Sequence, residues 1–438
     1  MMSNNKITPR KLSGFMELPP EKQIIFDNMK DKIKKVFDRN CFMPLDTPVL
    51  EYAEILLAKS GGEIDKEIYH FKKGDTELAM RYDLTVPLAR FVAMNIDTLN
   101  FPFKRYQIGK VYRGEKAQKG RFREFYQCDA DIIGNEQLPL VADAECVNII
   151  YEIYKELNIN AIVNISNRNI LFGLIEDFGY SDKASQILTI LDKLNKIGKD
   201  NAFKGLCDIG VKTNHAENLI SSTLKSGNFG TILKEIEPLS KNDTFLKGIA
   251  ELKELYGYLK AYNIPEDKYC LNIGIIRGQN YYTGTVFEAF SVEHPEFSSI
   301  AGGGRYDNLA QYYTDKKLPG VGMSIGFTRL FDLLDTHNML QDSPRYPADV
   351  IIIPMGETLN HCLSLSAYLR ENNIKVEVNY DERSFKAKLK DANRKEVPYV
   401  INVGENEVAT GKYTLKDMKN SEQFNLTKEE CINKVKAE

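Results

Sequence analysis

The chain has 438 residues, 43% of them hydrophobic and 27% charged, with no Trp and a formal net charge of −3. Such a length exceeds what one hydrophobic core serves well, so two or three domains of an ordinary globular composition are expected. No apolar run approaches the ~18 residues that span a bilayer, the first residues carry no apolar signal core, and the charge balance by itself announces no polyanion binder, although only a local patch must meet phosphate.

In chain order, residues 22–39 place Ile25, Met29, Ile33, Val36 and Phe37 on one face, the spacing of an amphipathic helix. A β-like segment follows from Phe42 to Glu51. Its Pro44 and Pro48 belong at a sheet edge or an interface, because proline cannot donate to a ladder. Residues 76–98 give a short strand, ELAMRYDL, and then a helix beginning near Pro87. Between 103 and 133 two strands joined by the basic turn EKAQKGRF make a hairpin, and residues 140–158 make a helix.

From about 170 to 262 the pattern is polar and helical, a helical insertion. Strands return at 269–276, 281–291 and around 297–302, and a helix begins near Ser324. Strands of one core thus flank the helical block. That order predicts an α+β core built on an antiparallel sheet, not a doubly wound fold. After residues 343–348 the rhythm becomes β-α-β-α-β, which predicts a small, largely parallel α/β domain. The two domains are expected at 1–335 and 345–438.

Seven cysteines are scattered without a Cys-x-x-Cys pair, as expected of reduced thiols in the cytoplasm. The five histidines show no metal spacing, so no metal site built from protein side chains is expected. The hairpin is the unusual feature. Between Phe103 and Arg123 it holds Lys104, Arg105, Lys110, Arg113, Lys116, Lys119, Arg121 and Arg123 against one acid, Glu115. Arginine suits two-pronged contacts with phosphate and carboxylate. A solvated hairpin tip is the bland alternative. The order Arg113-Gly114-Glu115, then Arg121-Phe122-Arg123-Glu124-Phe125, argues for more.

That order resembles the second signature motif of class II aminoacyl-tRNA synthetases. The helix and strand leading to Pro48 resemble the first, a dimer-interface element, and Gly320–Leu330, with Arg329 near its end, resembles the third. IIRGQNYYTGTVFEAF (275–290), AGGGRYDNL (301–309) and MRYDLTVPLARFVA (80–93) are similar to peptides of histidyl-tRNA synthetases, and the C-terminal region is similar to that family's anticodon-binding domain. The resemblance covers nearly the whole chain and implies a ligase that joins histidine to tRNA(His) through histidyl-adenylate. It also implies use of ATP with Mg²⁺, a homodimer, and no membrane association.

The same resemblance implies the site. Arg113 and Arg277 are the implied catalytic residues, at the α-phosphate and the substrate carboxylate; Arg113, Glu115, Arg121, Phe125 and Arg329 bind ATP, with Phe125 and Arg329 on the two faces of adenine. Histidine falls to Asp83, Thr85, Arg113, Gln127, Asp131, Arg277, Tyr281 and Tyr282, with Arg305 and Tyr306 in the wall. Gln118, Lys119, Gly120 and Arg123 face the acceptor end of tRNA. Taken without the resemblance, Asp83 is a helix cap, Tyr282 a packing residue and Arg277 an ion-pair partner; Gly302–Gly304 let backbone approach a ligand, with a strand-end turn as the bland alternative. Gln279 and Asn280 stand where the family carries Leu and Asp, which touches any bond orienting Arg277.

In the C-terminal domain, residues 383–395 put Phe385, Leu389 and Ala392 on one helix face. Arg383, Lys386, Lys390 and Arg394 lie on another, either a solvated stripe or a track for phosphates. Two alternatives to the ligase are a regulatory paralogue without catalysis and a synthetase-like RNA-binding module. Both should show eroded ATP contacts, whereas Arg113, Glu115, Arg121, Arg277 and Arg329 all stand.

Overall fold

The computed structural model describes residues 7–58, 67–116, 120–276, 282–295, 297, 299–340 and 346–437. The chain divides into two compact units, one of residues up to Met16 with Met29–His337, the other of Glu17–Asn28 with Asn338–Glu438.

The first unit is built on strands β1 (Met43–Pro44), β2 (Leu50–Tyr52), β3 (His70–Lys73), β4 (Thr76–Met80), β5 (Phe103–Tyr112), β6 (Glu124–Ile133), β7 (Ala161–Asn167), β8 (Ser226–Gly227), β9 (Tyr269–Asn272), β10 (Thr285–Ser291), β11 (Ala301–Tyr306) and β12 (Gly320–Gly326). Among the described residues, nine of these form one sheet in the order β1-β5-β6-β12-β11-β10-β7-β9-β8, and β2-β4-β3 form a smaller one. The long strands β5, β6, β12, β11, β10 and β7 pair antiparallel throughout. Among the named strands described, the parallel pairs lie toward the edges, β1 with β5 and β7 with β9. The helices between Arg168 and Ala261 are therefore the crossover that a parallel β7–β9 pair requires.

The hairpin forms as its sequence predicts, β5 and β6 pairing in register from Phe103↔Ile133 to Tyr112↔Glu124. Three expected boundaries move. The segment 42–51 is not one strand; Pro44 ends β1, and the chain pairs again only at Leu50. The strand expected around 297–302 lies at Ala301–Tyr306, and the helix expected near Ser324 begins at Phe327, because Gly320–Gly326 is strand β12.

The helix Val141–Glu156 packs across one face of the large sheet, burying Ala144, Cys146, Val147, Ile149, Ile150 and Ile153 completely. Side chains alternate across a strand, so the other face of β6 presents Gln127, Asp129 and Asp131, while Cys128 and Ala130 turn toward the core. That second face carries the cavity described below.

The second unit holds β13 (Val350–Pro354), β14 (Val376–Val378), β15 (Tyr399–Val403), β16 (Lys412–Asp417) and β17 (Gln423–Thr427), in the order β14-β13-β15-β16-β17. The first three are parallel, as expected from the β-α-β-α-β rhythm. An antiparallel pair, β16–β17, and a last helix at Lys428–Lys436 complete the unit and were not expected from the sequence. That helix starts at a capping box in which Thr427 and Glu430 satisfy each other's backbone amides.

Candidate functional site

A cavity of about 790 Å³ opens on the sheet face that β6, β10, β11 and β12 share. It collects Asp83, Thr85, Arg113, Glu115, Gly120, Arg121, Phe125, Gln127, Asp131, Tyr282, Tyr306 and Arg329, residues spread over some 250 positions of the sequence. Arg277, Tyr281, Gln118 and Lys119 lie outside the described residues, as do Gln279 and Asn280.

Its floor is acidic and buried. Asp131 is 3% exposed and meets the guanidinium of Arg105 at 2.7 Å, a partner directly opposite on β5 and itself fully buried. The Tyr306 hydroxyl donates to its other oxygen at 2.7 Å. Burial pushes the Asp131 carboxyl above its usual range, against the lowering pull of Arg105 and Tyr306. Space for this carboxylate depends on β12, since a Cβ at Gly322 would overlap Asp131 Oδ1.

Next along β6, Gln127 donates its side-chain amide to Ser324 Oγ at 2.7 Å, which leaves its Oε1 without a hydrogen-bond partner among the described residues. Asp129, between Gln127 and Asp131, is 2% exposed and lines the same cavity. Burial pushes its carboxyl up to about 7, with Asp131 and Asp83 adding to the rise and Arg105 and Ser324 opposing it.

The rim is cationic. Arg113 lies over the Phe125 ring, 5.1 Å from its centroid, and donates from Nε to the Tyr82 carbonyl at 3.2 Å. Arg121 pairs with Glu115 at 2.9 Å in an exposed position. Arg329 occupies the first turn of the helix Phe327–Thr336 and comes near Gly120, whose φ of +71° suits glycine. Asp83 accepts from the Val86 amide at 3.0 Å, a cap-like bond to the helix Thr85–Asn95, while also lining the cavity. Cap and site are compatible there.

One expectation changes. Arg305 does not line the cavity; it turns to the opposite face of β11, where Nε and Nη2 bind Asp143 and Nη1 binds the Leu138 carbonyl at 3.0 Å. Neighbours on a strand point oppositely, so Arg305 and Tyr306 do not share a wall. The glycines of β11 make no strand-end turn either. They lie within the strand and clear room for rings, as at Gly304, where a Cβ would meet the Tyr282 ring at 2.8 Å. Arg123, expected to face tRNA and not the cavity, donates from Nε to the Glu115 carbonyl at 3.1 Å and supports the hairpin.

Sequence reasoning missed Arg105, Asp129, Ser324 and Glu288, of which all but Arg105 line the cavity. For Asp129 a signal existed, since period-2 alternation from Gln127 to Asp131 puts it on the same face. Among the described residues no group of three or more His, Cys, Asp or Glu could hold a metal ion.

The family model for histidyl-tRNA synthetase matches residues 14–330, and the model for an anticodon binding domain matches residues 349–438. The chain is 42% identical to a histidine–tRNA ligase of Clostridium tetani, covering 99% of this chain and 100% of that protein. A crystal structure of histidyl-tRNA synthetase from Nostoc sp. PCC 7120 superposes with a TM-score of 0.92 at 32% identity, covering 99% of this chain and 100% of that one. A Bacillus halodurans structure described as an ATP phosphoribosyltransferase regulatory subunit/histidyl-tRNA synthetase has a TM-score of 0.75 at 20% identity and shares the fold alone. With both family models matched in order and full-length relatives on either side, the chain belongs to the histidyl-tRNA synthetase family.

Proposed function

We propose that this protein is a histidine–tRNA ligase. It joins histidine to ATP as histidyl-adenylate with release of pyrophosphate, then passes histidine to the 3′ end of tRNA(His). The observation that carries the reading is one cavity with an acidic, acceptor-rich floor and an arginine rim. An amino acid laid across it meets acids at its ammonium end and cations at its carboxylate end.

In the first step the substrate carboxylate attacks the α-phosphate in line, and pyrophosphate leaves. Such chemistry needs position and fixed positive charge more than proton transfer. Arg113, held by the Tyr82 carbonyl and the Phe125 ring, stands ready for the carboxylate and the α-phosphate. By family resemblance Arg277 adds a second guanidinium there. Arg121, Arg329 and Phe125 receive the nucleotide. Asp83, Thr85 and Gln127 hold the amino group, and Asp131 and Tyr282 address the imidazole. Asp131 is fixed for that task by Arg105 and Tyr306. In the second step a ribose hydroxyl of tRNA attacks the adenylate carbonyl and AMP leaves.

Mg²⁺ enters as a companion of the ATP phosphates, whose charge it offsets. The regulatory-paralogue reading is less supported, because the chain matches ligases over their full length. We also place the protein in the cytoplasm, a reading supported by seven free cysteines. No helix among the described residues is long and apolar enough to cross a membrane.

Purified protein should catalyse ATP–pyrophosphate exchange with histidine and with no other standard amino acid. Faster exchange with glycine, proline or threonine would overturn the assignment.

A further inference from the structure

On the reading above, we infer that Asp129 is a further binding residue for the substrate, an acceptor for its α-ammonium group beside Gln127. Three residues of β6 face the cavity in alternation, Gln127, Asp129 and Asp131. Asp131 accepts from Tyr306 at one oxygen and is ion-paired with Arg105 at the other, which has no hydrogen bond but is already neutralised. Gln127 and Asp129 each present a buried oxygen, Oε1 and Oδ1, with no hydrogen-bond partner among the described residues.

Two buried acceptors two residues apart on one strand face lie about 7 Å apart at their Cα atoms, a span one ammonium between them can bridge. Leaving such acceptors unmet is costly, and a ligand that supplies N–H groups recovers that cost. An ammonium fits better than any neutral donor. It offers three N–H groups and no acceptor, and its charge answers a floor where Asp83, Asp129 and Asp131 face Arg105, the cation already committed to Asp131. The substrate's carboxylate is excluded from this place by the same acids and goes to the arginine rim.

The charged and titratable groups around Asp129 are Arg105 from β5, Arg81 and Asp83 from the segment after β4, Cys128 and Asp131 on β6, with the Ser324 hydroxyl from β12. Burial among them leaves the empty-site carboxyl half-protonated near neutral pH. An arriving ammonium favours the carboxylate, so binding should expel the proton to solvent.

The test uses the full chain and Asp129→Asn, which keeps shape and removes charge. In histidine-dependent exchange KM should rise on the order of tenfold or more, as for a lost hydrogen bond to a charged group, with kcat changed less. The competitive inhibitor 3-(imidazol-4-yl)propanoate, which lacks the amine, should bind both forms equally. Calorimetry in buffers of different ionisation enthalpy near pH 7, with each ligand's own imidazole ionisation subtracted, should show more proton release when histidine binds the wild type than when the deaminated analogue does. The wild-type calorimetry carries the test alone if the variant does not fold. An unchanged histidine KM, equal weakening of histidine and analogue, or equal proton release with the two after that subtraction would overturn the inference. Wild-type protein inactive with histidine would overturn the function as well, so the two failures are distinguishable.

Discussion

Arg305 and Tyr306 are adjacent in sequence, yet one belongs to the fold and the other to the cavity. Arg305 is 11% exposed in its side chain and Asp143 is not exposed at all. Such a pair contributes little beyond a well-packed apolar replacement, but losing one partner strands a buried charge and costs roughly 3–5 kcal/mol. Arg305→Met should therefore lower chemical-denaturation stability by about that amount, and Arg305→Met with Asp143→Leu should recover much of it. Histidine KM in exchange should move little in any folded form; a large KM change at unaltered stability would return Arg305 to the site. At this scale the sequence was half legible. The basic hairpin looked nearly acid-free, whereas Lys104 pairs with Glu145, Arg105 with Asp131, Lys110 with Glu124 and Arg121 with Glu115. Glu115, Glu124 and Asp131 lie in the hairpin itself, the last two on its second strand beyond the basic stretch, and only Glu145 comes from the helix behind the sheet, where linear spacing carries no trace of it.

Helices and long strands were read where periodicity is sustained, as in Pro20–Arg39, the β5–β6 hairpin and Val141–Glu156. Errors fell on glycine-rich and proline-broken segments. β11 and β12 carry glycines for packing against Tyr282 and Asp131, so their sequence loses the alternation that marks a strand. In the second unit the helix Phe385–Arg394 revises the expected basic stripe. Arg383 pairs with Asp381 and Asp391, and Arg394 with Asp391. Lys388 is buried and donates to the Asn379 carbonyl at 3.3 Å. Lys386 and Lys390 remain exposed, one turn apart, with no ion pair among the described residues. If that face meets the tRNA backbone, those two lysines carry the attraction. Lys386→Glu with Lys390→Glu should raise KM for tRNA(His) about tenfold or more and flatten its salt dependence, because fewer neutralised phosphates release fewer counterions. Pyrophosphate exchange, which needs no tRNA, should be unchanged. Equal loss in both reactions would sink the assignment.

At the scale of the whole molecule, the fold class followed from the order of elements, but sheet order did not. That β7 pairs with both β10 and β9, joining residues about 100 positions apart, rests on long-range pairings that no local pattern encodes. The same topology bears on assembly. Among the described residues, β1 has β5 as its single strand partner, and both β2 and β3 are edges of the small sheet. Edge strands of soluble proteins are usually short, charged or covered. These are short, but they carry Met43, Leu50, Tyr52 and Phe71 at 63, 44, 57 and 42% exposure. Scattered apolar residues need no explanation; four of them on three edge strands fit a covered surface. We propose a second copy of this chain as the cover, as the resemblance implies, since a two-fold pairing would lay the same strands of each subunit together. Sedimentation at micromolar concentration should give a species of twice the 49.9 kDa chain mass. Leu50→Glu with Tyr52→Glu should shift it toward the single chain and lower exchange activity in parallel, because two buried charges in an interface without partners cost several kcal/mol. A wild-type species that sediments as one chain and retains full exchange activity would rule the dimer out.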